Sequence, residues 1–104
     1  MSWSRTERLE ALLKEKIATV VLERLSDPRI GFTTITRVEL SRDKKHAAVF
    51  YTVLGEPSQM RKTARALAQA APHIQETIGP GLKIRHVPQL RFVFDERVER
   101  ERTM

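Results

Sequence analysis

The order of its hydrophobic patterns constrains this chain more than any single motif does. One helical stripe is followed by two strand patterns joined through a short polar tip, then two helical patterns in succession, then a last strand. In the first stretch Leu9, Leu12, Leu13, Ile17, Val20, Val21 and Leu25 recur at steps of three and four, which predicts an amphipathic helix over residues 6–25. Glu10 and Lys14 are spaced to pair on its wet face. Asp27-Pro28 should stop it, because proline cannot donate to the helical ladder and biases its predecessor toward extended geometry.

Thr34-Ile35-Thr36-Arg37-Val38-Glu39-Leu40 is rich in β-branched residues and reads as a half-buried strand. After the tip Arg42-Asp43-Lys44-Lys45, residues 47–54 form a second strand with Ala47, Val49, Tyr51 and Val53 on one face. A tip this short predicts an antiparallel pair. Gly55-Glu56-Pro57-Ser58 carries loop and helix-start residues, after which Met60, Ala64, Leu67 and Ala71 repeat on one helical face. Pro72 is expected to interrupt that helix, since its ring clashes with the carbonyl of Ala68, and to open a third helix over residues 72–78 that ends at Gly79-Pro80-Gly81. A final strand follows Pro88, with Leu90, Phe92 and Phe94 on one side and Arg91 and Val93 on the other. The fold class expected is α+β in a single domain over residues 1–95, with a short mobile charged tail over residues 96–104.

The net charge of +6 is unevenly spread. Residues 61–91 hold six cations, Arg61, Lys62, Arg65, Lys83, Arg85 and Arg91, against one acid, Glu76, whereas the two flanking regions nearly balance. Arg61 and Arg65 stack one turn apart on the second helix with Lys62 on the adjoining flank. A basic surface of this kind attracts phosphate polyanions and releases their counterions, so these six are the candidate RNA-binding residues. The competing reading, a basic surface kept for solubility, assigns them no ligand.

Catalysis finds no support. His46, His73 and His86 have neither ligand spacing nor a carboxylate partner, the chain has no cysteine, and no Walker, GxGxxG or GxSxG motif occurs. No enzyme activity, metal or cofactor is therefore expected. The polar N-terminus lacks a secretory core and the longest apolar run is too short to span a bilayer, so a soluble, cytoplasmic protein is expected. Phe32, Phe50, Tyr51, Phe92 and Phe94 belong to strands, and Trp3 is expected to pack over the first helix. Base-specific stacking thus has little support, and recognition of RNA shape and backbone fits better. With no spare apolar stripe once the core is assigned, the chain is expected to be a monomer.

The residues that carry most specificity are four strings in order: Leu25-Ser26-Asp27-Pro28-Arg29-Ile30-Gly31, then Thr34-Ile35-Thr36-Arg37-Val38-Glu39-Leu40-Ser41-Arg42-Asp43, Ala47-Ala48-Val49-Phe50, and Arg85-His86-Val87-Pro88-Gln89-Leu90-Arg91-Phe92-Val93-Phe94-Asp95. With these the chain resembles the ribosome-binding factor A family, bacterial assembly factors of the small ribosomal subunit. The resemblance implies a type II KH-like fold of α-β-β-α-α-β order, a three-stranded sheet with its helices packed on one face. It also implies non-catalytic binding to immature small subunits and their rRNA during late assembly and 5′-end processing, a role tied to growth in the cold, with no DNA or membrane partner. The family replaces the GxxG loop of KH domains by an Ala-x-Gly kink between its last two helices. The corresponding place here is Ala70-Ala71-Pro72, which keeps a bend but offers no N–H at its last residue. A generic KH-like binder of single-stranded RNA is the alternative, and the missing GxxG counts against it.

Overall fold

In a computed structural model, residues 4–24 and 30–97 are described. The elements are α1 (Arg5–Arg24), β1 (Phe32–Leu40), β2 (His46–Leu54), α2 (Pro57–Ile78), a 3-10 turn at Gly79–Gly81, and β3 (Gln89–Phe94). Residues 25–29, which include the expected Asp27-Pro28 stop, lie outside the described residues, as do Trp3 and the expected tail from residue 98.

α1 starts where a capping box allows it to. The Ser4 hydroxyl accepts the Glu7 amide N–H at 3.1 Å and a Glu7 carboxylate oxygen accepts the Ser4 N–H at 3.2 Å, so two otherwise orphaned donors are satisfied reciprocally. Leu13 and Ile17 are completely buried, with Val20 and Val21 nearly so. Glu10 does not spend its carboxylate on Lys14 as the spacing suggested. It accepts the Leu40 N–H at 2.8 Å and so covers the last donor of β1.

The sheet has the order β1-β2-β3. β1 and β2 are antiparallel, Phe32 opposite Leu54 and Leu40 opposite Ala47, with a bulge between Ile35 and Arg37. β2 and β3 are parallel, His46 beside Gln89 and Tyr51 beside Phe94. A parallel pair needs a crossover, which α2 supplies. Ala47, Val49, Tyr51 and Val53 are buried as their alternation predicted, and they meet Ile35 and Val38 from β1 and Leu90 from β3. Tyr51 lies edge-on to Phe92 and Phe94, at centroid distances of 6.3 and 5.9 Å. α1 packs mainly on β1 and α2 mainly on β3, both on this face.

The break expected at Pro72 is absent. α2 is one helix of 22 residues with Pro72 inside it, so the two helical patterns are one element. Its buried residues are Thr63, Ala66, Leu67, Ala71, Ile74 and Ile78, a stripe that keeps its phase straight through the proline, while Pro72 itself is exposed. An interior proline costs about 3 kcal/mol. Burying Ile74 and Ile78 returns roughly 1.5–3 kcal/mol each, which is enough to hold the last two turns in place. Ala64, expected in the stripe, is exposed, and its place is taken by Thr63, which is completely buried and whose hydroxyl accepts the Gly31 N–H at 3.1 Å.

On the opposite face of the sheet a polar lock joins the two outer strands across β2. Asp95, only 2% exposed, accepts the Thr36 hydroxyl at 2.6 Å on one oxygen and the Arg97 N–H at 3.1 Å on the other. The bulge in β1 is what turns Thr36 toward it. Arg37 Nε stands 3.7 Å from the same carboxylate, and its guanidinium lies 3.6 Å above the Phe50 ring while reaching Glu39. The Thr36 hydroxyl holds the Asp95 carboxyl below the usual range against the opposing effect of burial, with help from the Arg97 amide and the Arg37 and Arg97 charges. A depressed folded pKa means a contribution that is complete above the unfolded value and lost as pH falls through the folded one. Asp95→Asn is therefore expected to cost about 2 kcal/mol at neutral pH. Urea midpoints of variant and parent should converge below pH ~4; a constant gap across that window would mean that the charge is not what stabilises the lock.

Candidate nucleic-acid interface

The amphipathic register of α2 decides where its cations go. With Thr63, Leu67, Ala71, Ile74 and Ile78 turned to the sheet, the outward face carries Arg61, Lys62 and Arg65, followed down the helix by Gln69, Pro72 and His73, all exposed. No acid occupies the first turn. The basic half of α2 is thus a free-standing ridge whose charges are uncoupled from the core.

Lys83 and Arg85 are also exposed, with Ile84 between them packed against the core, as an alternating segment requires. The backbone is tighter than extended, because the Ile84 N–H donates to the Leu82 carbonyl at 2.8 Å and closes a γ-turn around Lys83. This pair follows the C-terminal end of α2, which lies about 20 Å along the helix axis from Arg65. Arg91 is exposed on β3 between the inward-facing Leu90 and Phe92, so it projects from the side of the sheet away from both helices. The six cations singled out in the sequence therefore occupy three places: a ridge on α2, the connection into β3, and the open sheet face. The structure does not gather them into one patch.

It does gather cations that sequence reasoning passed over. The tip between β1 and β2 lies beside the segment leading into β3, because the Gln89 N–H donates to the Lys45 carbonyl at 2.8 Å. A recess of about 220 Å³ there is lined by Asp43, Lys44, Lys45, Arg85 and His86, with Leu9, Ile84 and Pro88 beneath. The tip itself is fastened from within. The Ser41 hydroxyl donates to Asp43 at 2.7 Å, the same Asp43 oxygen accepts the Lys45 N–H at 2.9 Å, and the Ser41 hydroxyl accepts the His46 N–H at 3.0 Å. The Ser41 hydroxyl and the Lys45 amide hold the Asp43 carboxyl below its ordinary range. Local charge counting hid this site, since Glu39, Asp43 and Glu56 offset Arg37, Arg42 and two lysines in the sequence; in the fold Glu39 is held on Arg37 and Asp43 in its own turn.

Among the described residues no group of histidines and carboxylates is placed to hold a metal ion, and no helix is long and apolar enough to cross a membrane. The kink segment Ala70-Ala71-Pro72 is half-buried, buried and exposed in turn, all within helical backbone.

Comparison with known proteins places this architecture. A protein-family model described as Ribosome-binding factor A matches residues 5–104. Ribosome-binding factor A of Natranaerobius thermophilus is 39% identical over 99 residues, covering 95% of this chain and 76% of its own length. That of Pseudomonas putida strain F1 is 41% identical over 100 residues, covering 94% and 76%. The crystal structure of ribosome-binding factor A from Thermus thermophilus matches with a TM-score of 0.75 at 28% identity, over 86% of this chain and 96% of that one. A homology model of the Thermus thermophilus factor, as fitted into a cryo-EM map of its 30S complex, matches with a TM-score of 0.73 at 27% identity, over 88% and 96%. Sequence and fold agree along nearly the whole length, and the chain belongs to the ribosome-binding factor A family, a family of ribosome-binding factors and not of enzymes.

Proposed function

We propose that this protein is a non-catalytic maturation factor that binds immature small ribosomal subunits through their rRNA during late assembly and 5′-end processing, in the cytoplasm and with particular demand in the cold. The observation that carries the reading is the match to a relative whose coordinates were fitted into a 30S complex, at a TM-score of 0.73 over 88% of this chain. The exposed Arg61, Lys62 and Arg65 supply the charge such a partner requires, and Lys83, Arg85 and Arg91 extend it. A protein of this kind acts by differential affinity: it binds one rRNA conformation more tightly than another, shifts the folding equilibrium of the subunit toward it, and leaves when that conformation is lost.

The experiment is a density gradient of cell lysate, blotted for the protein at low and moderate salt. Co-migration with free small subunits, and not with large subunits or translating ribosomes, is expected. A position at the top of the gradient at both salts would overturn the reading, and indiscriminate migration with every RNA particle would favour a generic RNA binder.

A further inference from the structure

Among the described residues the hairpin tip is a basic place that the α2 ridge does not account for. Lys44 has a backbone φ of +61°, the left-handed region that a side chain rarely adopts and that glycine or asparagine takes with least strain. The chain instead places there a lysine whose ammonium makes no hydrogen bond or ion pair among the described residues. Such strain persists where the surroundings over-determine the backbone. Here the Lys44 N–H donates to the Ser41 carbonyl at 2.9 Å and Asp43 fixes the next amide. The turn is thus locked, and it aims an unpartnered ammonium outward beside Lys45. Pairing of β2 with β3 then brings Arg85 and His86 to the same recess from a distant part of the chain.

We propose that this end of the molecule is a second phosphate-binding site, in which Lys44, Lys45 and Arg85 hold an RNA backbone independently of the cations on α2; the inference rests on the RNA-binding reading above. An acidic protein segment is the competing occupant. Protein interfaces draw their affinity from aromatic and apolar anchors, and this recess offers no aromatic and only half-buried Leu9 and Ile84 over a buried Pro88, whereas its rim carries Lys44, Lys45, Arg85 and His86, with Asp43 held in its own turn. Phosphates need only cations on a rigid frame.

Two variants test it, Lys44→Gly/Lys45→Ala and Arg85→Ala, with protein-free small-subunit rRNA as the probe in filter binding across a salt series. Glycine at position 44 relieves the left-handed backbone, so the melting temperature is expected to hold while binding falls. The double variant should lower rRNA affinity by about tenfold or more at low salt and reduce the slope of log K against log salt by about 1.5. Arg85→Ala should reduce that slope by about 0.8. Unchanged affinity and slope in both variants would overturn the site. Retained rRNA affinity with lost co-migration on subunits would assign the recess to a protein partner and overturn it equally. The gradient of the intact protein judges the broader reading by itself, so the two can fail separately.

Discussion

Replacing Arg61, Lys62 and Arg65 together by glutamate should lower affinity for small-subunit rRNA by more than about a hundredfold at low salt and shift the protein to the top of a lysate gradient. Each lost phosphate contact removes about 0.7–0.9 from the slope of log K against log salt, so three remove roughly 2–2.7, and reversal adds repulsion where there was attraction. The fold should not follow. All three residues are exposed, none has a side-chain hydrogen bond or ion pair among the described residues, and the stripe that α2 buries begins at Thr63 and turns the other way. These positions lie beyond the first turn of α2, where the helix dipole no longer favours either sign, and glutamate is about as good a helix former as arginine or lysine, so the variant helix has no reason to weaken. A variant with parental melting temperature and parental sedimentation would mean that the ridge serves solubility and that the subunit is held elsewhere.

How much of this was legible depended on whether the signal was local. The alternation in β2 and the three- and four-residue steps in α1 are local, and Val49, Tyr51, Leu13 and Ile17 lie buried where those periods put them. The start of α1 was legible as well, since Ser4 followed by Glu7 at three residues is a capping box, although apolar periodicity alone placed the start slightly late. Partnership across the fold was not legible. Glu10 faces Lys14 in a helical projection and yet bonds the β1 backbone, because a strand edge that needs an acceptor is a better partner than a solvated ammonium. The hairpin-tip recess depends on parallel pairing between strands whose sequences say nothing about register. Of the α2 ridge the sequence revealed the cations and their spacing, and the alternation in β3 already set Arg91 opposite Leu90, Phe92 and Phe94; that both helices pack on the side of Leu90, leaving Arg91 far from the ridge, follows only from the fold.

The unbroken α2 makes the most demanding statement about stability. Pro72 removes the helical bond to the Ala68 carbonyl and crowds it, yet Ile74 and Ile78 are 0% and 3% exposed, so the helix is carried through by what it buries beyond the proline. Periodicity held the clue: Leu67, Ala71, Ile74 and Ile78 are in one phase, which a real break and restart would have had no reason to preserve. Pro72→Ala should therefore stabilise the protein by about 2–3 kcal/mol, the interior penalty less the entropy that proline removes from the unfolded chain. For a domain of this size that raises the melting temperature by roughly 10 °C or more. Pro72→Gly, which gives the Ala-x-Gly spacing that the resemblance implies at this place, should fall about 1 kcal/mol below the alanine variant, because glycine is the poorer helix former. If rRNA affinity follows neither change, position 72 acts only through the helix. If affinity rises with glycine and not with alanine, close approach of the backbone to phosphate is what the proline has been preventing.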